Sequence, residues 1–242
     1  MLPRIGIPGL FVTGTDTGVG KTVVAGAIAR ALRGQGHRVG VLKVAATGCV
    51  HRREGWVSED AEFLAHCADA AQPLDVIAPV RYAEPLAPAV AAQRAGVGFD
   101  WDAVARSLAM IARDSDAMVV EGVGGIMVPL DPKHTVLDVA AWLNLPAVIV
   151  ARAGLGTINH TLLTIEALRS RGVPVAGVVI NRYPTDTPDL ATETNPRAIE
   201  KWGRIPVLAI VPDAGPAITT HVPADVLAAI GVVDWSRIAR GG

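Results

Sequence analysis

The sequence predicts an α/β fold in which a doubly wound, mostly parallel sheet carries helices on both faces. Short apolar runs alternate along the chain with longer segments of helical periodicity, a pattern typical of β-α-β units. The apolar runs are nearly continuous Val, Ile, Ala and Leu, as expected for strands that are covered on both faces. Hydrophobic residues make up 50% of the 242 positions. This length and composition favour one domain over residues 1–242 with a large core.

Local patterns justify each strand and helix. Ser58 and Asp100 are suitable N-caps for two of the helices. Gly34 and Gly36 end another helix, and Gly172 ends the longest one. In chain order we predict a strand at 10–12, a helix at 21–33, a strand at 39–42, a helix from 58 to about 65, a helix at 101–112, a strand at 117–120, a helix at 135–143, a strand at 147–150, a helix at 157–171, and strands at 175–180 and 207–211.

Three segments rich in Pro and Gly are predicted to be loops, at residues 44–57, 85–98 and 183–196. We expect them to pass over the carboxyl edge of the sheet. In doubly wound sheets, ligands bind at this edge near a topological switch point. The residues that directly follow strands are therefore the first candidates for a functional site.

The charge balance argues against large anionic partners. The 22 basic and 23 acidic residues give a formal net charge of -1, so we expect neither nucleic acid nor a membrane surface as a partner. No apolar run reaches the roughly 20 residues that span a bilayer, and no cleavage-site pattern suggests a signal peptide. Cys49 and Cys67 fit neither a disulfide framework nor a zinc site. We therefore expect a cytoplasmic protein.

The segment after the first strand has the pattern of a loop that binds a nucleoside triphosphate. Gly14, Gly18 and Gly20 let backbone N–H groups converge on phosphate oxygens, and the following helix directs its positive end at them. Lys21 would neutralise the β- and γ-phosphates, and the hydroxyl of Thr22 would bind Mg²⁺. The predicted nucleotide-binding residues of this loop are Gly14, Thr15, Asp16, Thr17, Gly18, Val19, Gly20, Lys21 and Thr22.

Two details of this loop refine the interpretation. Thr15 stands where the strict G-x-x-x-x-G-K-T spacing has its first glycine, and Gly14 is one position earlier, so the loop is a variant. A chance glycine-rich turn is a weaker interpretation, because the strand, the Gly-Lys-Thr triplet and the helix are all present. Asp16 occupies the position where partitioning and division-site ATPases carry a second, signature lysine. This disfavours a nucleotide-dependent switch protein.

A second lysine and two acids also follow strands or begin helices. Lys43 ends the second strand, where it either neutralises phosphate or extends its ammonium group to solvent. Asp60 is either an ordinary acid of a first helical turn or a metal ligand. Glu121 ends a buried strand before a predicted turn at 122–125, and an acid there typically binds Mg²⁺. An ordinary surface acid at the strand end is the weaker interpretation. Together, Thr22, Asp60 and Glu121 would form an all-oxygen Mg²⁺ site.

Two further segments could contact small ligands. Asn181 ends the strand at 175–180, where its amide either binds a nucleotide base or caps the turn before Pro184. Residues 154–160 precede the longest helix with free backbone amides, which suits an anion such as a carboxylate. We expect His160 to pack or cap there, and not to act as a base.

These motifs, in this order, resemble the dethiobiotin synthetases, a family of ATP-dependent enzymes of the P-loop NTPase type. The resemblance covers most of the chain. The Glu-Gly-x-Gly-Gly segment from Glu121 and the Leu-Gly-x-x-Asn-His segment from Leu155 are its most specific parts. The phosphate loop and the segments at 43–48, 58–60, 83–88 and 177–181 also match.

The resemblance implies a reaction and a set of roles. ATP and Mg²⁺ would be used to carboxylate 7,8-diaminononanoate with CO₂ or bicarbonate and to close a ureido ring through a carbamic phosphoric anhydride. Lys21, Lys43 and Thr17 would be catalytic, and Glu121 and Asn181 would join the phosphate loop in binding the nucleotide. The family is homodimeric, with the substrate carboxylate bound at the interface. The residues implied to bind the substrate are Lys43, Thr47, Gly124, Leu155, Gly156, Thr157 and Asn159.

The sequence departs from the family pattern at Val44, where a proline usually follows the lysine. Lys43, Thr47 and Gly48 remain in register with that pattern. Besides the switch protein, the other alternative is the ATP-binding part of a cobyrinic acid amidase. That enzyme needs an additional glutaminase domain, for which we expect this chain to be too short.

Overall fold

The computed structural model describes residues 2–53, 55–215 and 221–241. The described strands are β1 Gly9–Gly14, β2 Val39–Lys43, β3 Ala46–Thr47, β4 Val50–Arg52, β5 Gly55–Val57, β6 Arg81–Tyr82, β7 Ala117–Gly125, β8 Ala147–Arg152, β9 Val175–Tyr183 and β10 Val207–Pro212. The described helices are α1 Lys21–Gly34, α2 Glu59–Ala68, α3 Leu74–Ile77, α4 Pro88–Ala95, α5 Trp101–Arg113, α6 Val136–Leu143, α7 Thr157–Ser170, α8 Leu190–Gly203, α9 Ala224–Gly231 and α10 Trp235–Ala239.

Six strands form one parallel sheet in the order β10-β9-β8-β1-β7-β2. Helices α4 to α8 pack against one face of this sheet, and α1, α2, α3, α9 and α10 pack against the other. The central strands are buried on both faces, which accounts for their continuous apolar sequences. The doubly wound fold is therefore confirmed.

The topology positions the candidate site. β1 and β8 are neighbours in the sheet, but α1, which follows β1, and α7, which follows β8, lie on opposite faces. Their connections therefore diverge at the carboxyl edge and leave a crevice between them. This is the topological switch point at which ligands bind in such sheets.

The predicted helix caps are confirmed by their hydrogen bonds. The backbone N–H of Ala61 donates to Ser58 Oγ at 3.2 Å, and that of Ala103 donates to Asp100 Oδ1 at 2.8 Å. Each bond satisfies an N–H group that has no partner within its helix. Among the described residues, no helix combines the length and apolar character needed to cross a bilayer.

The three predicted loops are only partly correct. The segment at 85–98 contains α4, and the segment at 183–196 contains the start of α8. In α4, Pro88 occupies the first turn and Gly96 ends the helix with φ 67°, so residues that suggested a loop instead mark the two helix ends. The segment at 44–57 contains the short strands β3, β4 and β5.

Several strands extend further than predicted, and the extensions of β7 and β9 bear on the site. β7 continues past Glu121 through Gly125, and β9 continues past Asn181 to Tyr183. Gly122 to Gly125 are therefore part of a strand and not a turn. The pairing of Gly125 with Gly14 brings this extension beside the phosphate loop.

Candidate functional site

The phosphate loop connects β1 to α1 in the predicted position. Gly18 and Gly20 have φ values of 74° and 88°, which residues with a β-carbon rarely adopt. The left-handed conformation of Gly20 lets α1 begin at Lys21. Lys21 Nζ donates to the carbonyl oxygen of Asp16 at 3.0 Å, so its side chain folds back over the loop. A β-carbon on Gly14 would lie 2.9 Å from the backbone carbonyl oxygen of Asp16, which explains the glycine there.

The Lys21 side chain is almost fully buried beside other charged groups. Burial is the largest influence and lowers the pKa of Lys21 to about 8. The carboxylate of Glu121 opposes this shift, and the ammonium group of Lys43 adds to it. Among the described residues, the Lys21 ammonium group is hydrogen-bonded to the neutral carbonyl group of Asp16 and pairs with no carboxylate, so it suits an anionic ligand.

Four side chains from different elements form a charge cluster, which consists of Thr22, Lys43, Asp60 and Glu121. Lys43 Nζ lies 2.6 Å from Glu121 Oε1 and 2.7 Å from Asp60 Oδ2. The hydroxyl of Thr22 donates to Glu121 Oε1 at 2.9 Å. β2, β7, α1 and α2 supply these residues, and the pairing of Lys43 with Glu121 in the sheet aligns the two charged side chains. Lys43 therefore does not extend to solvent.

The environment of the charge cluster shifts three pKa values. Burial raises the pKa of Glu121, which is fully enclosed. Burial alone would lower the pKa of Lys43, but the carboxylates of Glu121 and Asp60 outweigh it and keep that pKa above its usual range. Burial would raise the pKa of Asp60, but Lys43 outweighs it and keeps that pKa below its usual range. Lys43 thus stays charged.

The charge cluster also contains an acceptor with spare capacity. Glu121 Oε2 is buried and has no hydrogen-bond partner among the described residues. A hydroxyl and two carboxylates within one cluster are the oxygen ligands that Mg²⁺ prefers. These residues therefore fit a Mg²⁺ ion.

Two clefts lie beside the phosphate loop. The first has a volume of about 540 Å³, and Thr22, Asp60 and Asn181 are among its lining residues. The second has a volume of about 420 Å³ and separates the loop from α7. The residues that line the second cleft are Thr15, Asp16, Thr17, Gly125, Ile126, Met127, Val128, Pro129, His160, Leu163 and Thr164. The phosphate loop thus lies between two spaces that could hold different ligands.

The structure brings several predicted residues to the phosphate loop. A β-carbon on Gly124 would lie 3.3 Å from Thr17 Oγ1, so these two residues are adjacent. Asn181 Nδ2 donates to the carbonyl oxygen of Val19 at 2.9 Å. This hydrogen bond is neither a contact with a nucleotide base nor a cap of the turn before Pro184, the two predicted alternatives, because its acceptor belongs to the phosphate loop.

The remaining predicted substrate residues are not among the described residues that line the two clefts. Thr47 pairs with Tyr82 in the small sheet of β3 and β6. Leu155, Gly156 and Asn159 are exposed before and within the first turn of α7, whereas Thr157 is fully buried. Their neighbour His160 lines the second cleft, and its ring lies 3.4 Å from a guanidinium nitrogen of Arg152.

Sequence reasoning missed part of the first cleft. Arg52, Arg182 and residues 212–215 also line it. Residues 212–215 follow the predicted strand at 207–211, so the rule that singled out Lys43 and Glu121 could have found them. The side chain of Arg52 pairs with Glu62 of α2, a contact that no local pattern indicates.

Comparisons with known proteins find a family model and curated relatives that match most of the chain. A family model described as an AAA domain matches residues 8–218. ATP-dependent dethiobiotin synthetase BioD of Anaeromyxobacter dehalogenans (strain 2CP-C) is 45% identical over 204 residues, which cover 80% of this chain and 90% of that protein. The protein of the same name from Bacillus subtilis (strain 168) is 38% identical over 204 residues, which cover 84% and 87%.

A solved structure shares the fold. A chain of the MinC:MinD cell division protein complex of Aquifex aeolicus has a TM-score of 0.57 at 17% identity, with 97% of this chain and 96% of that chain covered. At this identity the likeness concerns the fold alone.

Proposed function

The chain belongs to the family of ATP-dependent dethiobiotin synthetases, and we propose that it makes dethiobiotin from 7,8-diaminononanoate, CO₂ and ATP. The geometric observation that best supports this reaction is the pair of buried lysines, Lys21 and Lys43, next to the phosphate loop. Phosphoryl transfer depends on preorganised positive charge around the transferring group.

The proposed reaction has three steps. One amine of the substrate attacks CO₂ and loses a proton, which gives a carbamate. A carbamate oxygen then attacks the γ-phosphorus of ATP, ADP leaves, and a carbamic phosphoric anhydride remains. The second amine attacks the carbonyl carbon of this anhydride, loses a proton and expels phosphate, which closes the ureido ring.

We assign the catalytic roles to Lys21, Lys43 and Thr17. Lys21 has the lowered pKa described above, and a triphosphate would favour its charged form in place of the Asp16 carbonyl contact. Lys43 keeps its charge next to two carboxylates and would neutralise the transferring phosphoryl group or the carbamate. The hydroxyl of Thr17 borders the cleft on the α7 side and would donate to an oxygen of either group.

We propose that Thr22, Asp60 and Glu121 hold Mg²⁺, for which the spare acceptor Glu121 Oε2 is the main support. Bound there, Mg²⁺ would neutralise charge on the β- and γ-phosphates. Glu121 would also orient Lys43 and Thr22, which both donate hydrogen bonds to it.

We further propose where the two organic ligands bind. The cleft of about 540 Å³ that Asn181 lines would take the nucleoside. The diamine end would lie near Lys43, Thr47 and Gly124, and the carboxylate would bind the exposed amides of the segment before α7. The substrate residues of that segment are Leu155, Gly156, Thr157 and Asn159.

We infer a homodimer that works in the cytoplasm. Three large apolar side chains around the second cleft and α7 are strongly exposed: Met127 at 60%, Leu155 at 82% and Leu163 at 62%. Exposed apolar side chains of this size on neighbouring segments favour burial against another chain. A second copy there would complete the carboxylate site.

The switch-protein alternative rests on fold likeness alone. Asp16, which occupies the position of the signature lysine, pairs with its own loop by accepting from the backbone N–H of Thr17 at 2.7 Å. A carboxylate at this position cannot supply the positive charge that a lysine would bring to a nucleotide, which disfavours the switch-protein alternative.

Phosphate release from Mg·ATP in bicarbonate buffer, with and without 7,8-diaminononanoate, tests the proposed function. We expect release that requires both the diamine and bicarbonate, together with dethiobiotin identified by mass spectrometry. Release that is indifferent to the diamine, or release without the ureido product, would contradict the proposal.

A further inference from the structure

The side chain of Asn181 reaches across the sheet to the phosphate loop. Asn181 lies in β9 opposite Arg152 of β8, so that β8 separates its strand from β1, where the loop begins. Its side chain is nevertheless the donor of a 2.9 Å hydrogen bond to the carbonyl oxygen of Val19, and only 4% of the residue is exposed. Because a carbonyl oxygen can only accept, the amide nitrogen of Asn181 must face the loop.

Gly20 fits closely against the same amide. A β-carbon on Gly20 would lie 2.0 Å from Asn181 Nδ2, and Gly20 has a φ of 88°. Any other residue there would displace Asn181 or move the loop. The glycine that lets α1 begin at Lys21 is therefore also the residue that gives the amide room to reach Val19.

We propose that Asn181 is a positioning residue of the phosphate loop. By fixing the carbonyl group of Val19, its amide holds Gly20 and the first N–H groups of α1 in the orientation that receives phosphate oxygens. Triphosphate binding then depends on Asn181 even when the ligand has no base. This inference rests on the proposed function only for the identity of the ligand as a triphosphate.

A base contact alone predicts a different result. Asn181 also lines the first cleft, where its amide oxygen would contact the nucleoside that we propose to bind there. If a base contact were its whole role, removal of the side chain would weaken the binding of ATP and leave the binding of a ligand without a base unaffected. The two roles are thus separated by comparing Mg·ATP with Mg·tripolyphosphate.

The experiment is titration calorimetry of both ligands with the full chain and with Asn181→Ala and Asn181→Leu. Leu retains most of the side-chain volume without a donor, so it covers the case in which the smaller Ala variant does not fold. We expect roughly five- to tenfold weaker tripolyphosphate binding in both variants, the loss of one buried hydrogen bond. The binding of ATP should weaken at least as much. In steady-state kinetics, the KM for ATP should rise while the KM for the diamine stays unchanged.

Asn195→Ala is the matched control. Asn195 is a second buried asparagine whose amide donates to a loop carbonyl, that of Ala153 at 2.7 Å, but this loop precedes α7. We expect its tripolyphosphate affinity to equal that of the wild type. Unchanged tripolyphosphate binding in the Asn181 variants, or an equal loss in Asn195→Ala, would overturn the inference. These titrations need no diamine or turnover, so their outcome is independent of the test of the proposed function.

Discussion

The loops before α1 and α7 share one architecture at the carboxyl edge of the sheet. Each follows one of two neighbouring strands and enters a helix of 14 residues through a glycine with left-handed backbone. Gly20 has a φ of 88° and Gly156 a φ of 90°. A buried asparagine amide donates to a carbonyl group of each loop, Asn181 to the first and Asn195 to the second. Both loops thus present helix N-termini that favour anions.

The two loops differ in the charged residues that they contain. The first contains Lys21 and contacts the charge cluster. Residues 154–159 contain no ionisable side chain, and their charged neighbour is Arg152, whose guanidinium group lies 3.7 Å from the position of a β-carbon on Gly156. The residue after the left-handed glycine is a buried lysine in one loop and a buried threonine in the other. The same backbone design therefore suits chemistry at a triphosphate in the first loop and simple binding of a carboxylate in the second.

The largest expected effect comes from removing the charge of the first loop. We predict that Lys21→Ala lowers diamine-dependent phosphate release at least about 100-fold, because a preorganised cation at the phosphoryl group is lost. The melting temperature should change little, because removal of the buried ammonium group relieves its desolvation and offsets the loss of its hydrogen bond to the Asp16 carbonyl oxygen. Lys201→Ala, which removes an exposed lysine of α8, is the control and should retain activity. Near-normal turnover in Lys21→Ala would contradict the assignment of this loop to chemistry.

The second-largest expected effect is a difference in stability between alanine variants of Gly20 and Gly156. Alanine at either position must adopt a left-handed conformation, which costs about 1–2 kcal/mol of folding free energy. At Gly156 the nearest atom to the new β-carbon would be 3.7 Å away, but at Gly20 it would be Asn181 Nδ2 at 2.0 Å. We predict that Gly20→Ala destabilises the protein by roughly 1–3 kcal/mol more than Gly156→Ala.

Urea denaturation of both glycine variants measures this difference. Asn181→Ala combined with Gly20→Ala serves as the control, since it removes the side chain that the new β-carbon meets. The double variant should recover part of the lost stability. Equal stability losses at Gly20 and Gly156 would mean that the close approach of the Asn181 amide to Gly20 adds no cost, which would contradict this prediction.

Sequence-based prediction succeeded for features that depend on neighbouring residues or on the topology of the sheet, and it missed a contact between residues far apart in the chain. The strands of the central sheet and the caps at Ser58 and Asp100 depend on neighbouring residues, so local patterns found them. The charge cluster was predictable because parallel strands bring residues such as Lys43 and Glu121 to one edge. The bond from Asn181 to Val19 spans 162 positions, and no local pattern indicates it.

The incorrectly predicted loops have a physical reason as well. Pro and Gly both interrupt helices and mark their ends, and composition alone does not distinguish the two uses. Pro88 and Gly96 mark the ends of α4, and Pro196 lies inside α8. Asp189 stabilises the start of α8 by accepting from the backbone N–H of Thr192 at 2.7 Å, which offsets part of the cost of the proline.

The third effect is a pH dependence confined to the first loop. Because the pKa of Lys21 is lowered to about 8, the unliganded protein loses this charge as the pH rises through 8. A triphosphate binds the protonated form, so its affinity should fall by up to tenfold per pH unit above about 8. Titration calorimetry with Mg·ATP between about pH 7.5 and 9.5 measures this slope. Lys21→Arg should flatten it, because a guanidinium group stays charged; an unchanged slope would assign the titration to another group.

The smallest expected effect concerns the loop before α7. Asn159 is exposed in the first turn of α7 and lies outside the charge cluster. We predict that Asn159→Ala raises the KM for 7,8-diaminononanoate about fivefold through the loss of one hydrogen bond, while kcat and the KM for ATP change little. Steady-state kinetics with Gln93→Ala, an exposed amide of α4, as the control measures this effect. A fall in kcat without a change in the diamine KM would mean that the second loop takes part in chemistry, and the functional contrast between the two loops would then fail.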